Sequence, residues 1–327
     1  MQSQDEKGDL MMKPNRRKKV MAILLSGAMV LGLTGCVDQH PEKHQTAVAG
    51  TDAVEIAKEK VKALGREPKV IATSPSVTEI CDKLDMDLIG VPKSSIREIP
   101  ARYKDVRVVG MAMSPDMEIV AGEHPDWILS PNSLKSDLKP KYEAIDADYA
   151  FLDLRSVEGM YTSMDQLGEI FGKEKEAAAL RKEYETFMQA YRESHEGKKT
   201  PKVMILMGLP GSYIIATENS YVGSLVEMAG GENVYAGTDK EFLTVNTEDM
   251  KQKKPDIILR CAHALPDQVK TMFDKDFKEN DIWHHFEAVK NDRVYDLSND
   301  NFGMSARFNY PEALKELDAI FYGGEVK

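Results

Sequence analysis

A short pattern that occurs twice in this 327-residue chain constrains its fold more than any other feature. In Glu118–Leu129 and in Glu248–Leu259, a glutamate stands seven residues before a Pro-Asp pair, and an apolar run follows. Each copy comes after a first predicted strand and helix of its half of the chain. Short β-rich runs alternate with helical patterns in both halves, which is typical of α/β architecture. The repeat therefore predicts two related α/β lobes.

The predicted strands and the segment between the lobes define the expected domains. Strands are expected at Val70–Ala72, Asp87–Val91, Arg107–Gly110, Trp127–Ser130, Tyr149–Leu152 and Val203–Met207. From Val157 to His195, apolar residues recur at three- and four-residue spacing, which predicts one continuous helix about 50 Å long. The expected fold is thus an N-terminal lobe over 67–156, one long rigid helix over 157–198 and a C-terminal lobe over 199–327.

The N-terminal region has the layout of a bacterial export signal with a lipoprotein cleavage box. Four basic residues, 16–19, precede the apolar run Val20–Leu33, which leads to Gly35 and Cys36. The run is too short to span a bilayer comfortably, and the basic residues beside it would be badly placed in a protein core. We predict a signal peptide over 1–35, lipid on the Cys36 thiol and a solvated tether over 36–66, with some helical character from Ala53 to Leu64.

Charge and cysteine content narrow the function classes. The chain carries a net charge of −11, and the part after residue 35 holds 37 basic and 51 acidic residues. An acidic body argues against nucleic acid as a partner. After Cys36 only Cys81 and Cys261 remain, far apart in sequence, so no disulfide framework is expected.

Motifs for catalysis are missing from the sequence. It contains no nucleophile elbow, Walker loop, metalloprotease helix or G-x-G-x-x-G motif, so no enzyme activity is expected. His263 is the one histidine just past a predicted strand end, where ligand sites of α/β proteins gather.

An ordered series of motifs resembles the ABC-importer binding proteins that carry siderophores, corrinoids and haem. Within that class it is most similar to the haem receptor lipoproteins of iron-regulated surface determinant systems. The resemblance covers Val70–Phe321 and rests on Ser74–Glu79, Pro201–Tyr213, Ala229–Asn233, Asn280–Trp283 and Ala288–Asn291.

This resemblance implies that one haem is clamped between the lobes by a methionine and a histidine. The methionine maps to Met113, on a loop that we expect Ser114 to end as the cap of a helix starting at Pro115. The histidine maps to His263. This pair occupies both axial positions of the iron and leaves none for O₂, which suits carriage.

Other roles for these residues stay open. Met111 is a near neighbour that could be the ligand instead, and Met113 could be a core residue. A Cys261 thiolate would compete for ferric haem if it faced the cleft, whereas a buried thiol would be inert.

If haem is the ligand, its propionates need hydrogen-bond donors, and the start of a helix offers them. Unpaired backbone N–H groups of Val77 and Thr78, at the start of a helix after Ser76, would hold the carboxylates, with help from Ser94 and Ser95. Alternatively, Ser76 only caps that helix. One acidic residue per lobe meets the permease in this class. Their positions in the repeat make Glu118 and Glu248 the expected pair.

Taken together, the expectation is a haem receptor lipoprotein on the outer face of a Gram-positive cell membrane. It would take haem from surface relay proteins and deliver it to an ABC permease and its ATPase. A siderophore or corrinoid receptor is the alternative, to which Tyr213, Arg260 and Arg307 would be suited. A surface haem enzyme would need an open iron position, which a Met/His pair denies.

Overall fold

The computed structural model describes residues 46–47, 51–94 and 97–323. The predicted signal peptide, Cys36 and Ser95 lie outside the described residues. Within the described ranges, none of the helices combines the length and the apolar character needed to cross a membrane.

The first sheet contains the strands of the N-terminal half. They are β1 Thr46–Ala47, β2 Val70–Ala72, β3 Gly90–Lys93, β4 Arg107–Met111, β5 Ser114–Pro115, β6 Trp127–Pro131 and β7 Asp148–Leu152. Their order is β1-β7-β6-β2-β3-β4-β5, and every pairing is parallel except that of β5 with β4.

The second sheet is built around β8. Its strands are β8 Lys202–Leu209, β9 Ser212–Ala216, β10 Glu232–Asn233, β11 Phe242–Leu243, β12 Ile257–Ala262 and β13 Val294–Asp296. The order is β11-β9-β8-β12-β13, with β10 also paired to β8. Since β8, β12 and β13 run parallel, the loops that follow them lie at one edge of the sheet, where ligands of α/β proteins bind.

Helices cover both sheets. They are α1 Thr51–Ala63, α2 Pro75–Lys83, α3 Met117–Gly122, α4 Lys135–Tyr142, α5 Val157–Phe171, α6 Glu174–His195, α7 Tyr221–Met228, α8 Thr247–Gln252, α9 Pro266–Glu279, α10 Glu287–Lys290 and α11 Tyr310–Tyr322, with 3₁₀ turns at Ala101–Tyr103, Asn132–Leu134 and Asp281–His285. Alternate strand residues face opposite sides, so Ile71 and Ile128 pack in one core while Val70 and Leu129 pack in another. That second core continues into the other sheet through Ile205 and its neighbours.

The segment predicted as one continuous helix is two helices, and that prediction is wrong. Gly172 adopts a left-handed conformation with φ of 69°, and its N–H donates to the Gly168 carbonyl, which ends α5. A Cβ on Gly168 would lie 2.9 Å from the Ala177 Cβ, so the backbones of α5 and α6 are in close contact. Both helices bury an apolar face, which is why the periodicity runs through the break. The 22 residues of α6 span about 33 Å. The predicted fold class, two α/β lobes, is confirmed.

The helical character predicted from Ala53 to Leu64 is confirmed, but the prediction of a solvated tether is wrong from Thr51 onward. Helix α1 buries Val54 and Ala57 to 5% and 4% exposure, and Val61 packs against the same core. The Lys60 ammonium group pairs with Asp148 at the edge strand β7. Three apolar residues at i, i+3 and i+7 are enough to hold this helix, although they make too narrow a stripe to stand out in a polar sequence.

The two halves repeat one local construction, as the sequence pattern predicts. The carboxylate of Asp126 accepts the Lys69 N–H at 2.7 Å, and that of Asp256 accepts the Lys202 N–H at 2.9 Å. In both halves the next residues pair in the same register, β2 with β6 and β8 with β12.

Candidate ligand site

Met113 lies at the tip of a tight β-hairpin. Met111 pairs with Ser114, which leaves Ala112 and Met113 as the turn between β4 and β5. Gly110 makes the fold-back possible, because its φ is 98° and a Cβ there would lie 2.7 Å from the Asp116 nitrogen. The Met113 side chain is 67% exposed, which excludes a core role.

The hairpin also changes the predicted helix start. Ser114 and Pro115 belong to β5, and the cap of α3 is Asp116, whose carboxylate accepts the Glu118 and Ile119 N–H groups at 3.1 and 3.2 Å. The expectation that Ser114 caps a helix beginning at Pro115 is therefore wrong, because strand pairing takes precedence over the local Ser-Pro pattern. Met111 is 62% exposed as well, so both methionines are accessible.

His263 follows the end of β12. Its backbone N–H donates to the Gly208 carbonyl at 3.0 Å, which extends the pairing with β8 by one residue. His263 is exposed, and partial burial among the protein atoms around it lowers the pKa of the imidazole through desolvation. This shift favours the neutral side chain, the form that binds iron.

The loop after His263 is strained. Leu265 has a φ of 47° and a side chain that is 54% exposed. A bulky residue in this left-handed region costs about 1–3 kcal/mol. Helix α9 then begins at Pro266, as expected.

Cys261 is buried and faces the protein interior. Its Sγ lies 3.5 Å from the Leu206 carbonyl oxygen and 3.7 Å from the Met207 sulfur, with 3% of the residue exposed. Burial raises the pKa of the thiol to about 12. These features favour the inert cysteine over a competing thiolate ligand.

The start of α2 differs from the expectation. Val77 donates its N–H to the Ser74 hydroxyl at 3.3 Å, and Thr78 donates its N–H to the Ser74 carbonyl at 2.9 Å. The predicted unpaired N–H groups are therefore partnered, and the cap is Ser74 rather than Ser76. With two serines around Pro75, proline takes the first helical position, which makes the preceding serine the cap.

Ser76 and Ser94 both contact Arg97. The Ser76 hydroxyl accepts a hydrogen bond from the Arg97 guanidinium at 3.3 Å, and the Ser94 hydroxyl accepts the Arg97 N–H at 3.1 Å. Arg97 was missed by sequence reasoning, because a lone arginine in a loop carries no motif and only the fold places it beside α2.

A cavity of about 620 Å³, lined by residues of both halves, lies beside Arg97. It is lined by Pro75, Glu79, Asp82, Lys83, Arg97, Glu98, Ile99, Pro100, Ala101, Asn299, Asp300, Arg307 and Asn309. Arg307, which the sequence had associated with a siderophore site, is therefore on a cavity wall.

Two other residues suggested for a siderophore site have internal partners. The Tyr213 hydroxyl donates to Asp276 at 3.1 Å. Arg260, 9% exposed, binds Asp296 through two nitrogens and Asp274 through one. Their roles in this structure are in packing and internal charge pairing.

Glu118 and Glu248 occupy equivalent positions, each the second residue of a short helix. The capping side chain, Asp116 or Asn246, accepts the N–H of the glutamate at 3.1 Å in both cases. Both glutamates are exposed, and Glu248 also pairs with Lys251 at 3.1 Å. The prediction that both stand in a first helical turn is confirmed.

Comparisons with known proteins agree with this architecture. A family model described as "Periplasmic binding protein" matches residues 70–301. The chain is 41% identical over 257 residues to the "High-affinity heme uptake system protein IsdE" of Staphylococcus aureus strain Newman, covering 78% of this chain and 88% of that protein.

Two solved structures are similar as well. An ABC transporter substrate-binding protein from Listeria monocytogenes EGD-e matches with 47% identity and a TM-score of 0.75, covering 79% of this chain and 100% of that one. S. aureus IsdE complexed with heme matches with 41% identity and a TM-score of 0.74 over the same shares. Fold, family model and relatives agree, and the chain belongs to the periplasmic binding protein family.

Proposed function

We propose that this protein is a receptor that binds haem and presents it to an ABC importer for iron acquisition. The observation that carries the proposal is the 41% identity, over most of the chain, to a heme uptake protein whose solved structure contains heme. The family supports a role in substrate binding for transport, outside the cytoplasm.

Met113 and His263 are the proposed axial ligands of the iron. Their support is chemical and positional: a thioether at an exposed hairpin tip in one half and a neutral imidazole after a central strand in the other. Two such ligands fill both axial positions and give a low-spin iron that does not activate O₂. Met111 is the alternative thioether.

Val77, Ser94 and Ser95 remain proposed contacts of the haem propionates, whereas the N–H of Thr78 is taken by the Ser74 carbonyl. The Val77 hydrogen bond to Ser74 is long at 3.3 Å, so an incoming carboxylate has a weak competitor for that N–H. The start of α2 also favours negative charge through its dipole. Ser94 adds a hydroxyl at the end of β3.

The anchor and the partners complete the proposal. Lipid on Cys36 would tether the receptor to the outer face of the membrane, and haem would reach it from surface relay proteins. An ABC permease with its ATPase would receive the cargo. Exposed Glu118 and Glu248, in equivalent places in the two halves, could meet basic residues on two permease subunits at once.

A siderophore or corrinoid receptor is the second candidate. It is favoured by the polar cavity that carries Arg97 and Arg307, since such side chains bind anionic chelates. This candidate needs no iron ligand from the protein.

A haemin titration distinguishes the two candidates. Purified protein with haemin should show a sharpened Soret band and low-spin visible bands at one haem per chain. The Met113→Ala/His263→Ala double variant, checked for folding by circular dichroism, serves as the control and should lose these bands. An unchanged haemin spectrum with the wild-type protein would refute the proposed function.

A further inference from the structure

Two arginines, one from each half, line the cavity between the halves. Arg97 lies in the loop after β3 of the first sheet, and Arg307 lies between β13 of the second sheet and α11. Both line the same cavity of about 620 Å³.

Neither guanidinium has an anionic partner. Arg97 contacts only the neutral Ser76 hydroxyl, and Arg307 donates to the backbone carbonyl of Asp300 at 2.7 Å. In the part of the chain that the structure describes, no carboxylate lies within 4 Å of either side chain, and the Arg307 Nε is buried without a hydrogen-bond partner. Arg66, Arg155 and Arg260, by contrast, each bind an aspartate through two nitrogens.

Both guanidinium groups therefore lie at a partly buried site without a direct ion pair. Burial and the nearby charge of Arg307 lower the pKa of Arg97 to about 10, and the smaller attractions of Glu79 and Asp300 do not offset them. Glu79, Asp82, Glu98 and Asp300 line the same cavity, yet none of them pairs with either arginine. Two like charges that lie close together repel each other, so an anion that accepted hydrogen bonds from both guanidinium groups would be bound favourably.

We propose that Arg97 and Arg307 form a site that binds the carboxylate groups of the cargo, with one arginine contributed by each half. This inference rests on the proposed function, in which the cargo is a tetrapyrrole with two carboxylates. A guanidinium binds a carboxylate through two parallel hydrogen bonds. Because one arginine comes from each half, a bound dicarboxylate ties the halves together and selects cargo that carries acid side chains.

The test compares haem with its dimethyl ester, in which both carboxylates are blocked. Binding of each porphyrin is measured for the wild type, Arg97→Gln, Arg307→Gln and the double variant. The control is Arg192→Gln, which removes one positive charge from the exposed face of α6. Each cavity variant should bind haem about tenfold more weakly, since hydrogen bonds to charged groups have that size. All proteins should bind the ester equally, with unchanged low-spin bands.

Folding defects are controlled with a second set. Arg307→Lys keeps the charge, and thermal unfolding of each variant identifies any general loss of structure. The inference is overturned if the cavity variants and Arg192→Gln show the same ratio of haem to ester affinity. It is also overturned if the wild type binds haem and ester equally well, although the proposed function would then stand. Failure of the wild type to bind either porphyrin would overturn the proposed function and this inference together.

Discussion

The two halves of the molecule are alike at the hydrogen bonds that hold the strand starts, and they differ at the loops that carry the candidate ligands. Asp126 and Asp256 make the same hydrogen bond to the start of a neighbouring strand, and Glu118 and Glu248 occupy the same capped position. The ligand loops share no such likeness. One is a hairpin with Met113 at its tip, and the other is a short strained connection after His263. A repeated scaffold can therefore place equivalent glutamates in both halves while each half carries a different candidate ligand.

The largest expected effect comes from removing the ligands one at a time. His263→Ala should lose most of the bound haem or convert it to high spin, because imidazole is the stronger ligand of the two. Met113→Ala should alter the spectrum with a smaller loss. Haem content after purification and the visible spectrum measure both effects.

Met111→Ala is the matched control for this pair, since its side chain is almost equally exposed. A spectral change in Met111→Ala but not in Met113→Ala would move the thioether assignment to Met111. Wild-type low-spin spectra from both the Met113 and the His263 variants would refute the axial pair.

Glu118 and Glu248 test the feature that the two halves share, the exposed glutamate at an equivalent position. The double variant Glu118→Ala/Glu248→Ala should fold and bind haem normally but fail to support uptake in vesicles that contain the permease and its ATPase. Docking through exposed charges should also weaken with salt. Glu185→Ala, an exposed glutamate of α6, is the control. Uptake at the wild-type rate by the double variant would rule the docking role out, leaving only a local effect of a few tenths to 1 kcal/mol on helix stability.

The two aspartates should have equal effects once the extra partner of Asp126 is removed, because Asp126 also binds Arg66 through two nitrogens. In an Arg66→Ala background, Asp126→Ala and Asp256→Ala should each lower the free energy of unfolding by about 1 kcal/mol, the value of one hydrogen bond. Chemical denaturation measures this, with exposed Asp105→Ala as the control. Effects that differ by more than about 1 kcal/mol would show that the two anchors are not equivalent.

A change of pH should have a smaller effect on the stability of the haem-free protein, through His263 in the C-terminal half. The pKa of His263 in the folded protein lies below its ordinary value, which is about 6.5. As pH falls through that value the unfolded chain takes up the proton first, so stability of the haem-free protein decreases. His263→Gln should remove this component of the pH dependence. Haem bound to this nitrogen competes with the proton, so it should be retained at pH values below the pKa of His263 in the haem-free protein; haem release at or above that pKa, measured from the visible spectrum, would contradict ligation by His263.

The smallest expected change is in overall dimensions. Helix α6 and a cluster of aromatic rings connect the halves. The ring centroids of Tyr161 and Tyr184 lie 4.4 Å apart in a stacked pair, and Tyr310 packs edge-on against both rings. Such a connection resists the large hinge motion that flexible crossover strands permit. Haem binding should therefore produce small lobe rotations. A change of several ångströms in the radius of gyration by small-angle scattering would refute this.

Regular patterns predicted the scaffold well, and local patterns predicted the loops less well. Strand runs such as Val203–Met207 and the repeated Pro-Asp segments depend on burial and pairing that recur along the sequence. The helix break at Gly172 was missed because apolar periodicity continues on both sides. The caps at Ser74 and Asp116 were misassigned by two residues because several polar side chains compete for each helix start.

Arg97 shows what a sequence pattern does not contain. Its proposed role depends on lining the same cavity as Arg307, more than 200 residues away in sequence, and only folding brings the two together. The lack of an ion pair at either arginine, among the residues that the structure describes, cannot be inferred from the residues next to Arg97.

The burial of Cys81 and Cys261 has a practical consequence for observing this protein at work. Both residues are nearly inaccessible, and burial raises the pKa of each thiol to about 12. Maleimide dyes react with the thiolate, so neither native cysteine will compete for label at neutral pH. In a version that begins after Cys36, one cysteine introduced on each half can carry a donor and an acceptor dye. Energy transfer between the dyes would then report lobe movement in single molecules without any change to the native core.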